Sequence, residues 1–366
     1  MAIRHHGSRF RSQRDQALHY FSRPSQGVPD RPIEGPSAWR GDDLRQRDDW
    51  SYRFTPRDLG EIHEAFEHAA RTGRETRDLA PGDFPLPGLA RTLAAVREEL
   101  CSGRGFQLLR GLPVADWSDA EAERFFWCFG LHLGIPGAQN PQGDLVGHVR
   151  DTRSPADLAD GRYYKTPREI AYHCDAADAV GLLCMHKAQS GGLSRIVSSV
   201  TVFNELLIRS PRHAARLCRP YMIDTHGEGG INAFPVTPCC YSNGRLRTTY
   251  HSDYFRSAGR HAGVEPLDGF DLEVLEHYET IANEASLCLE MDLEPGDVQL
   301  ISNHTVLHAR TAYRDHPDPA RRRHLLRLWL SFDEPLRLAD RLRKKRALLG
   351  LAWAVARQPR AATQAA

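Results

Sequence analysis

What the chain lacks narrows its class before any motif is read. No apolar run approaches the roughly 18 consecutive residues that span a bilayer; stretches such as Ala179–Met185 are short and soon interrupted. Neither charge sign is in excess, with 48 Lys+Arg against 47 Asp+Glu over 366 residues, so the electrostatic footprint of a nucleic-acid binder is missing. None of the eight cysteines forms a C-x-x-C pair, which removes a zinc knuckle and a thioredoxin-like site. Most of them lie in apolar runs and read as buried thiols of a reducing cytoplasm, with the adjacent Cys239 and Cys240 an incidental pair in a loop. The Arg- and His-rich N-terminus has no apolar core or small-residue cleavage site of a secretory signal, and a transit peptide is the one targeting signal its composition leaves open. There is no internal repeat, no P-loop, no dinucleotide fingerprint, and the G-x-S-x-G template fails at Gly192–Ile196. With 41% hydrophobic residues the chain has the means to bury a large core.

Residues 1–50 show no periodicity and read as a poorly ordered or surface-laid arm without chemistry. A helical region over 51–135 follows. Thr55 suits an N-cap, Pro56 the first helical position, and Leu59, Ile62, Phe66 and Ala69 recur at helical spacing. A second helix is expected over Leu89–Cys101, a strand in GFQLLRGL, and a third helix from the capping box of Ser118 and Glu121. Over 136–335 the texture is mainly β, in DLVGHVR, EIAYHCD, AVGLLCMHKA, SRIVSSV, DVQLIS and RHLLRLWLSF, with helical inserts at Thr201–Leu207 and Leu272–Ala285. Residues 336–366 start as a basic amphipathic helix, read as packed on the core. The fold class is therefore mainly β with flanking helices.

Chemistry concentrates in the histidines. Three H-x-D triplets occur, at His173-Cys174-Asp175, His251-Ser252-Asp253 and His316-Pro317-Asp318. On extended backbone the first and third residues of such a triplet share a side. One further His from a distant strand completes a 2-His-1-carboxylate face that leaves three adjacent metal positions open, as in non-haem Fe(II) oxygenases. The His316 triplet sits in a Pro-rich charged loop and fits poorly; the His173 triplet ends an apparent strand; the His251 triplet could also end one. Downstream, a turn at Pro295-Gly296-Asp297 leads into a strand through Val298–Ile301, a second turn near Asn303 and a short strand ending at His308. In RRRHLLRLWL, alternation puts Arg323, Leu325, Arg327 and Trp329 on one face. Taken alone, the two arginines read most simply as an edge strand's surface pair; if that face lines a cavity, they suit carboxylates.

These segments, in this order, resemble the TauD/TfdA family of Fe(II)- and 2-oxoglutarate-dependent dioxygenases, typified by taurine dioxygenase. The resemblance covers about residues 100–332, through GFQLLRGLPV, QNPQGDLVGHVRD, YHCDAADAVGLLC, KAQSGGLSRIVSSVTVFNEL, EPGDVQLISNHTVLHARTAYRDHP and RRRHLLRLWL. It implies a distorted double-stranded β-helix, or jelly roll, with Fe(II) held by His173, Asp175 and His308. It further implies that 2-oxoglutarate chelates the iron, its far carboxylate meeting Arg323 and the Ser194 hydroxyl, with Arg327 on the near carboxylate or the substrate. With O2, such enzymes turn 2-oxoglutarate into succinate and CO2 and oxidise an unactivated C–H bond, usually by hydroxylation, with desaturation or cyclisation as alternatives.

Two departures stand out. Cys174 replaces a common Thr between the first two ligands, and TTYHSDYFRSA occupies a stretch that is often rich in Arg and Tyr, so His251 and Asp253 are candidates for substrate recognition. Asn140, Asp144, His148 and Arg150 are further candidate lining residues. The expected partner is a small polar metabolite or natural-product intermediate, not nucleic acid or a membrane, and a homo-oligomer is left open. A zinc hydrolase would use the same three ligands but leave Arg323, Arg327 and Ser194 without a task. A non-catalytic jelly-roll binding protein would have a broken triad.

Overall fold

The computed structural model describes residues 10–140, 142–151, 166–226, 231–333 and 338–357. The first nine residues and the last nine, which carry part of the expected arm and tail, lie outside them, as does any leader at the extreme N-terminus. The rest of the arm is not a bare tether. It forms α1 (Gln13–Phe21), whose N-cap Ser12 hydroxyl accepts the Asp15 N–H, and the short α2 (Gly41–Arg45). Tyr20 on α1 is only 1% exposed, so tertiary packing orders a segment whose own pattern carries no periodicity.

After β1 (Ser51–Arg53), three helices form where caps and periodicity place them. These are α3 (Pro56–Arg71), which opens with a Thr55–Asp58 capping box, α4 (Ala90–Ser102), and, after β2 (Phe106–Arg110), α5 (Asp119–Leu133) with its Ser118–Glu121 box. The chain then runs through β3 (Ile135–Gly137), β4 (Val146–Val149), β5 (Ile170–His173), β6 (Ala179–His186), β7 (Ser190–Gly191) and β8 (Ser194–Ser198). Helices α6 (Ser199–Arg209) and α7 (Pro211–Leu217) lead into two hairpins, β9 (Tyr221–Asp224) with β10 (Ala233–Val236), and β11 (Cys239–Ser242) with β12 (Arg245–Thr248). The His251 triplet does not end a strand: β12 stops at Thr248, and the chain turns at His251 into α8 (Ser252–Ser257). The chain closes with α9 (Gly269–Ala282), β13 (Cys288–Met291), β14 (Val298–Ser302), β15 (Val306–Arg310), β16 (Tyr313–Arg314), β17 (His324–Ser331) and α10 (Leu338–Ala356).

The fold is mixed α and β with two principal sheets. The larger runs in the order β1-β2-β14-β6-β17-β3, with β4 also on β17; the smaller runs β13-β8-β15-β5. Strand alternation sorts their side chains into three buried groups. Phe106, Val180, Ile196, Ile301, Val306 and Leu325 fill the space between the sheets. Leu300, Leu326 and Leu328 on the other face of the larger sheet pack under α4 and α5 with Phe125, Phe126 and Phe129. Val197, Leu307 and Ala309 on the other face of the smaller sheet pack under α6 and α9. His308 and Arg310 thus share the inward face with Val306, and Arg327 shares it with Leu325. Six of the eight cysteines are buried thiols, including Cys239 and Cys240. Among the described residues no helix is long and apolar enough to cross a membrane.

The turn before β14 depends on a glycine. Gly296 has φ +88°, and a Cβ there would stand 2.0 Å from the Leu112 carbonyl oxygen, a backbone atom that cannot swing away. Gly296→Ala should therefore lower stability by about 2–3 kcal/mol, seen as an earlier urea midpoint at unchanged slope. An unchanged midpoint would show that the turn relaxes freely.

Candidate active site

The second metal-like His comes into place through strand register. His308 on β15 lies directly opposite His173 on β5, and the register shifts between His308 and Arg310, so β5 carries a bulge beside the site. Asp175 follows β5 on a turn fastened to the β14–β15 connection: its backbone N–H donates to Asn303 Oδ1 at 3.0 Å. One donor atom each from His173, Asp175 and His308 then lie within 4.8 Å of one another, the sole such group among the described residues. His308 Nε2 is 3.6 Å from Asp175 Oδ2, and the His173 Nδ1 edge faces the Ala171 carbonyl at 2.9 Å, leaving Nε2 for the centre.

Electrostatics keep these groups in ligand form. Burial and the neighbouring His308 push His173 down to about 4, against the pull of Asp175, so the imidazole is neutral at physiological pH. Burial alone would raise the Asp175 carboxyl, but Arg327 and the two imidazoles more than offset it and hold it well below the usual carboxylate range. Arg327 Nη1 stands 3.5 Å from Asp175 Oδ1. Its fork is fixed by Gln139, which accepts from Arg327 Nε at 2.7 Å and donates to the Arg327 carbonyl at 2.7 Å and to the Leu145 carbonyl at 3.0 Å.

A cavity of about 770 Å³ opens on His173, Asp175 and Arg327, a size suited to a small molecule. Its far wall is built partly by α1, through Gln13, Arg14 and Ala17, and by Leu351 and Ala356 of α10. The segment read as an arm without chemistry therefore lines the cavity. His251 and Asp253 line it as well; the His251 ring lies 5.3 Å from that of His173 and stacks on Tyr254 at 3.7 Å. Burial, and the His173 imidazole beside it, push His251 well below its ordinary value.

The other candidates divide. Asn140 lines the cavity, and its carboxamide closes a local turn with Asp144, which is exposed and does not line it. His148 points the other way, its Nδ1 2.8 Å from His324 and its Nε2 3.2 Å from Glu123 on α5, and Arg150 is exposed. Alternation in the strand before the triplet did not settle which face it turns inward. Ser194 and Arg323 are buried and do not line the cavity, with Ser194 Oγ donating to Gln299 Oε1 at 2.8 Å. His316 and Asp318 lie on a loop outside the site. Gln139 and Asn303 carry no motif and were not legible in sequence. Arg310 escapes the sequence reading because the expected strand ends at His308, whereas β15 runs on to Arg310 and so carries it on the same face.

With this geometry in view, comparison with known proteins is decisive. The family model "Taurine catabolism dioxygenase TauD, TfdA family" matches residues 74–329. The chain belongs to the TauD/TfdA family. It is accordingly an Fe(II)- and 2-oxoglutarate-dependent dioxygenase, which excludes the zinc hydrolase and the inert binding protein. Within this family it is 32% identical to FR-33289 synthase of Streptomyces rubellomurinus, over 83% of this chain and 91% of that protein. It is 27% identical to the taurine hydroxylase-like protein SAT17 of Stachybotrys chartarum, over 81% and 79% of the two chains. In fold it is similar to asparagine oxygenase, solved with Fe(II), 3-hydroxyasparagine and succinate, with a TM-score of 0.62 at 19% identity over 78% of this chain and 94% of that one. The non-haem iron oxygenase OrfP, solved with Fe, succinate and (3S)-hydroxy-L-Arg, follows with a TM-score of 0.57 at 16% identity, covering 77% and 94%.

Proposed function

We propose that this TauD/TfdA dioxygenase hydroxylates an unactivated C–H bond of a small polar metabolite or natural-product intermediate held in the cavity beside His173, Asp175 and His308. The observation that carries the reading is the convergence of those three donors, two of which, His173 and Asp175, line that cavity together with Arg327. The two principal sheets serve as the walls of a distorted double-stranded β-helix, and the interior between them is its barrel.

The donor set, two imidazoles and one carboxylate, is of the kind that holds Fe(II) while leaving positions for cosubstrate and substrate. Ser194 and Arg323 would receive the far carboxylate of 2-oxoglutarate, a reading supported by the burial of Arg323 with its Nη1 unpartnered. When bound, iron and 2-oxoglutarate supply oxygen activation with release of succinate and CO2. The protein's own share is positional. Asn303 fixes the Asp175 turn, Gln139 fixes Arg327, and α1 with α10 screens the cavity from bulk water. The solved relatives named for hydroxylated asparagine and arginine, and the hydroxylase-like curated relative, support a polar substrate of that size.

The test is substrate-stimulated succinate release. With Fe(II) and 2-oxoglutarate, a panel of amino acids, amino-acid derivatives and small anionic metabolites should contain members that raise succinate formation at least tenfold over the uncoupled rate, each gaining one oxygen by mass. Conversion with loss of two hydrogens and no oxygen gain would replace hydroxylation by desaturation or ring closure.

A further inference from the structure

A second polar centre lies between the sheets, one strand step from the metal-like triad. Arg310 on β15 and Arg323 at the start of β17 are each 6% exposed, and both guanidinium groups lie over the Tyr313 ring, with centroid distances of 4.8 and 5.3 Å. Arg310 Nη2 donates to the Thr166 carbonyl at 2.6 Å and to that of Arg168, while its Nε and Nη1 have no partner. Arg323 Nη1 is also unpartnered, and its backbone N–H donates to Asp315 Oδ1 at 2.6 Å. Among the described residues neither guanidinium forms an ion pair. Two guanidinium groups buried side by side repel one another, and the carboxylates that act on them, Asp151 on Arg310 and Asp315 on Arg323, form no ion pair with either. An anion entering between them would offset that repulsion and meet the unpartnered N–H groups.

The surroundings specify that anion. Arg310 pairs in register with Ser194 on β8, so the Ser194 hydroxyl belongs to the same group. Gly192, at φ +75°, leaves the space beside Arg323 open: a Cβ there would come within 3.1 Å of Arg323 Nε. Arg310 is also two residues from His308 on the same strand face, about 7 Å along the strand. That separation suits a diacid whose other end sits on the metal.

We infer that Arg310 is a second anchoring arginine for the far carboxylate of 2-oxoglutarate, closing with Arg323 and Ser194 a two-arginine clamp. The inference rests on the dioxygenase reading. It assigns Arg310 a task that its two carbonyl contacts, which hold the segment before β5, do not account for.

The test separates anchoring from support of that segment. Mn(II)-loaded protein is titrated calorimetrically with N-oxalylglycine, an unreactive 2-oxoglutarate analogue that carries the far carboxylate, and with oxalate, which chelates the metal but lacks it. Arg310→Met should weaken N-oxalylglycine at least tenfold and leave oxalate within about twofold. Arg310→Lys, which keeps a charge and a donor to the carbonyls and so guards against simple misfolding, should lose several-fold on the first ligand only. Equal losses on both ligands in Arg310→Lys, or unchanged N-oxalylglycine binding in Arg310→Met while Arg323→Met loses it, would overturn the assignment and leave the dioxygenase reading standing. If the wild type binds neither ligand in a metal-dependent way, that reading fails and the clamp falls with it.

Discussion

His308→Ala and His173→Ala, kept anaerobic with Fe(II) and 2-oxoglutarate, should each lose the weak visible charge-transfer band of the chelate, and His251→Ala should keep it. The expectation follows from which donors meet. His173, Asp175 and His308 each place one ligand atom within 4.8 Å of the others, whereas His251 stacks on Tyr254 and takes no part in that group. Loss of an outer partner of a metal ligand typically costs about 10–100-fold in affinity, so removal of a ligand itself should exceed that range. In His251→Ala the effect should fall on the substrate: a higher KM for whichever compound drives succinate release, with 2-oxoglutarate binding little changed. A band that survives His308→Ala and vanishes in His251→Ala would place the metal on the other triplet.

The second large effect concerns Asp178, a carboxylate that ties both ends of the chain to the site region. It is 5% exposed and accepts from His19 Nε2 of α1 at 2.7 Å, from His304 Nε2 at 2.8 Å and from the Phe332 N–H at 2.6 Å. Asp178→Ala strips three buried donors of their acceptor at once. It should cost about 3–5 kcal/mol in urea unfolding, with α1 released before the sheets melt.

The same cluster sets an acid limit. Burial and the nearby Arg23 push His304 down to about 3, although Asp178 pulls the other way. Its unfolded value is near 6.5, so between those pH values the unfolded chain binds a proton the native one refuses, and stability falls as pH falls. Asp178 itself is held well below the carboxylate range and contributes stability that is lost only below about pH 4. From pH 7 to pH 5, His304 alone should remove about 2 kcal/mol. His304→Asn should flatten that part of the profile; an identical profile would show that other buried imidazoles carry it.

Much of this molecule was legible in its sequence, and the reason differs from element to element. The helices α3 and α5 announce themselves because a cap and a 3.6-residue stripe are local signals. The triad and Arg327 were reachable because H-x-D on extended backbone and strand alternation fix sides, and the family resemblance chose between two otherwise equivalent triplets. The helix α1 was not legible, since Tyr20, His19 and Arg23 bind partners hundreds of residues away and leave no periodic trace. The His251 stretch could read as a strand because its helix is a single short turn-and-a-half after β12. Asp144, His148 and Arg150 were misplaced relative to the cavity for want of a known inward face, which only the pairing of β4 with β17 supplies. Gln139 and Asn303 act through backbone and neighbouring side chains, a role that no residue type advertises.

The direct opposition of His308 and His173 ties metal occupancy to the integrity of one edge. Among the described residues, β5 is four residues long, sits at the margin of its sheet and pairs only with β15. An ion held by His173, Asp175 and His308 would act as a rivet through that margin, and its free concentration would set the cost of prying β5 loose, by about 2.7 kcal/mol at a hundredfold over the dissociation constant. Loss of an iron so held would then act on this enzyme twice, first by removing its chemistry and then by unfastening the strand on which the chemistry is built, so that the amides of β5 would exchange with solvent while the larger sheet stays closed.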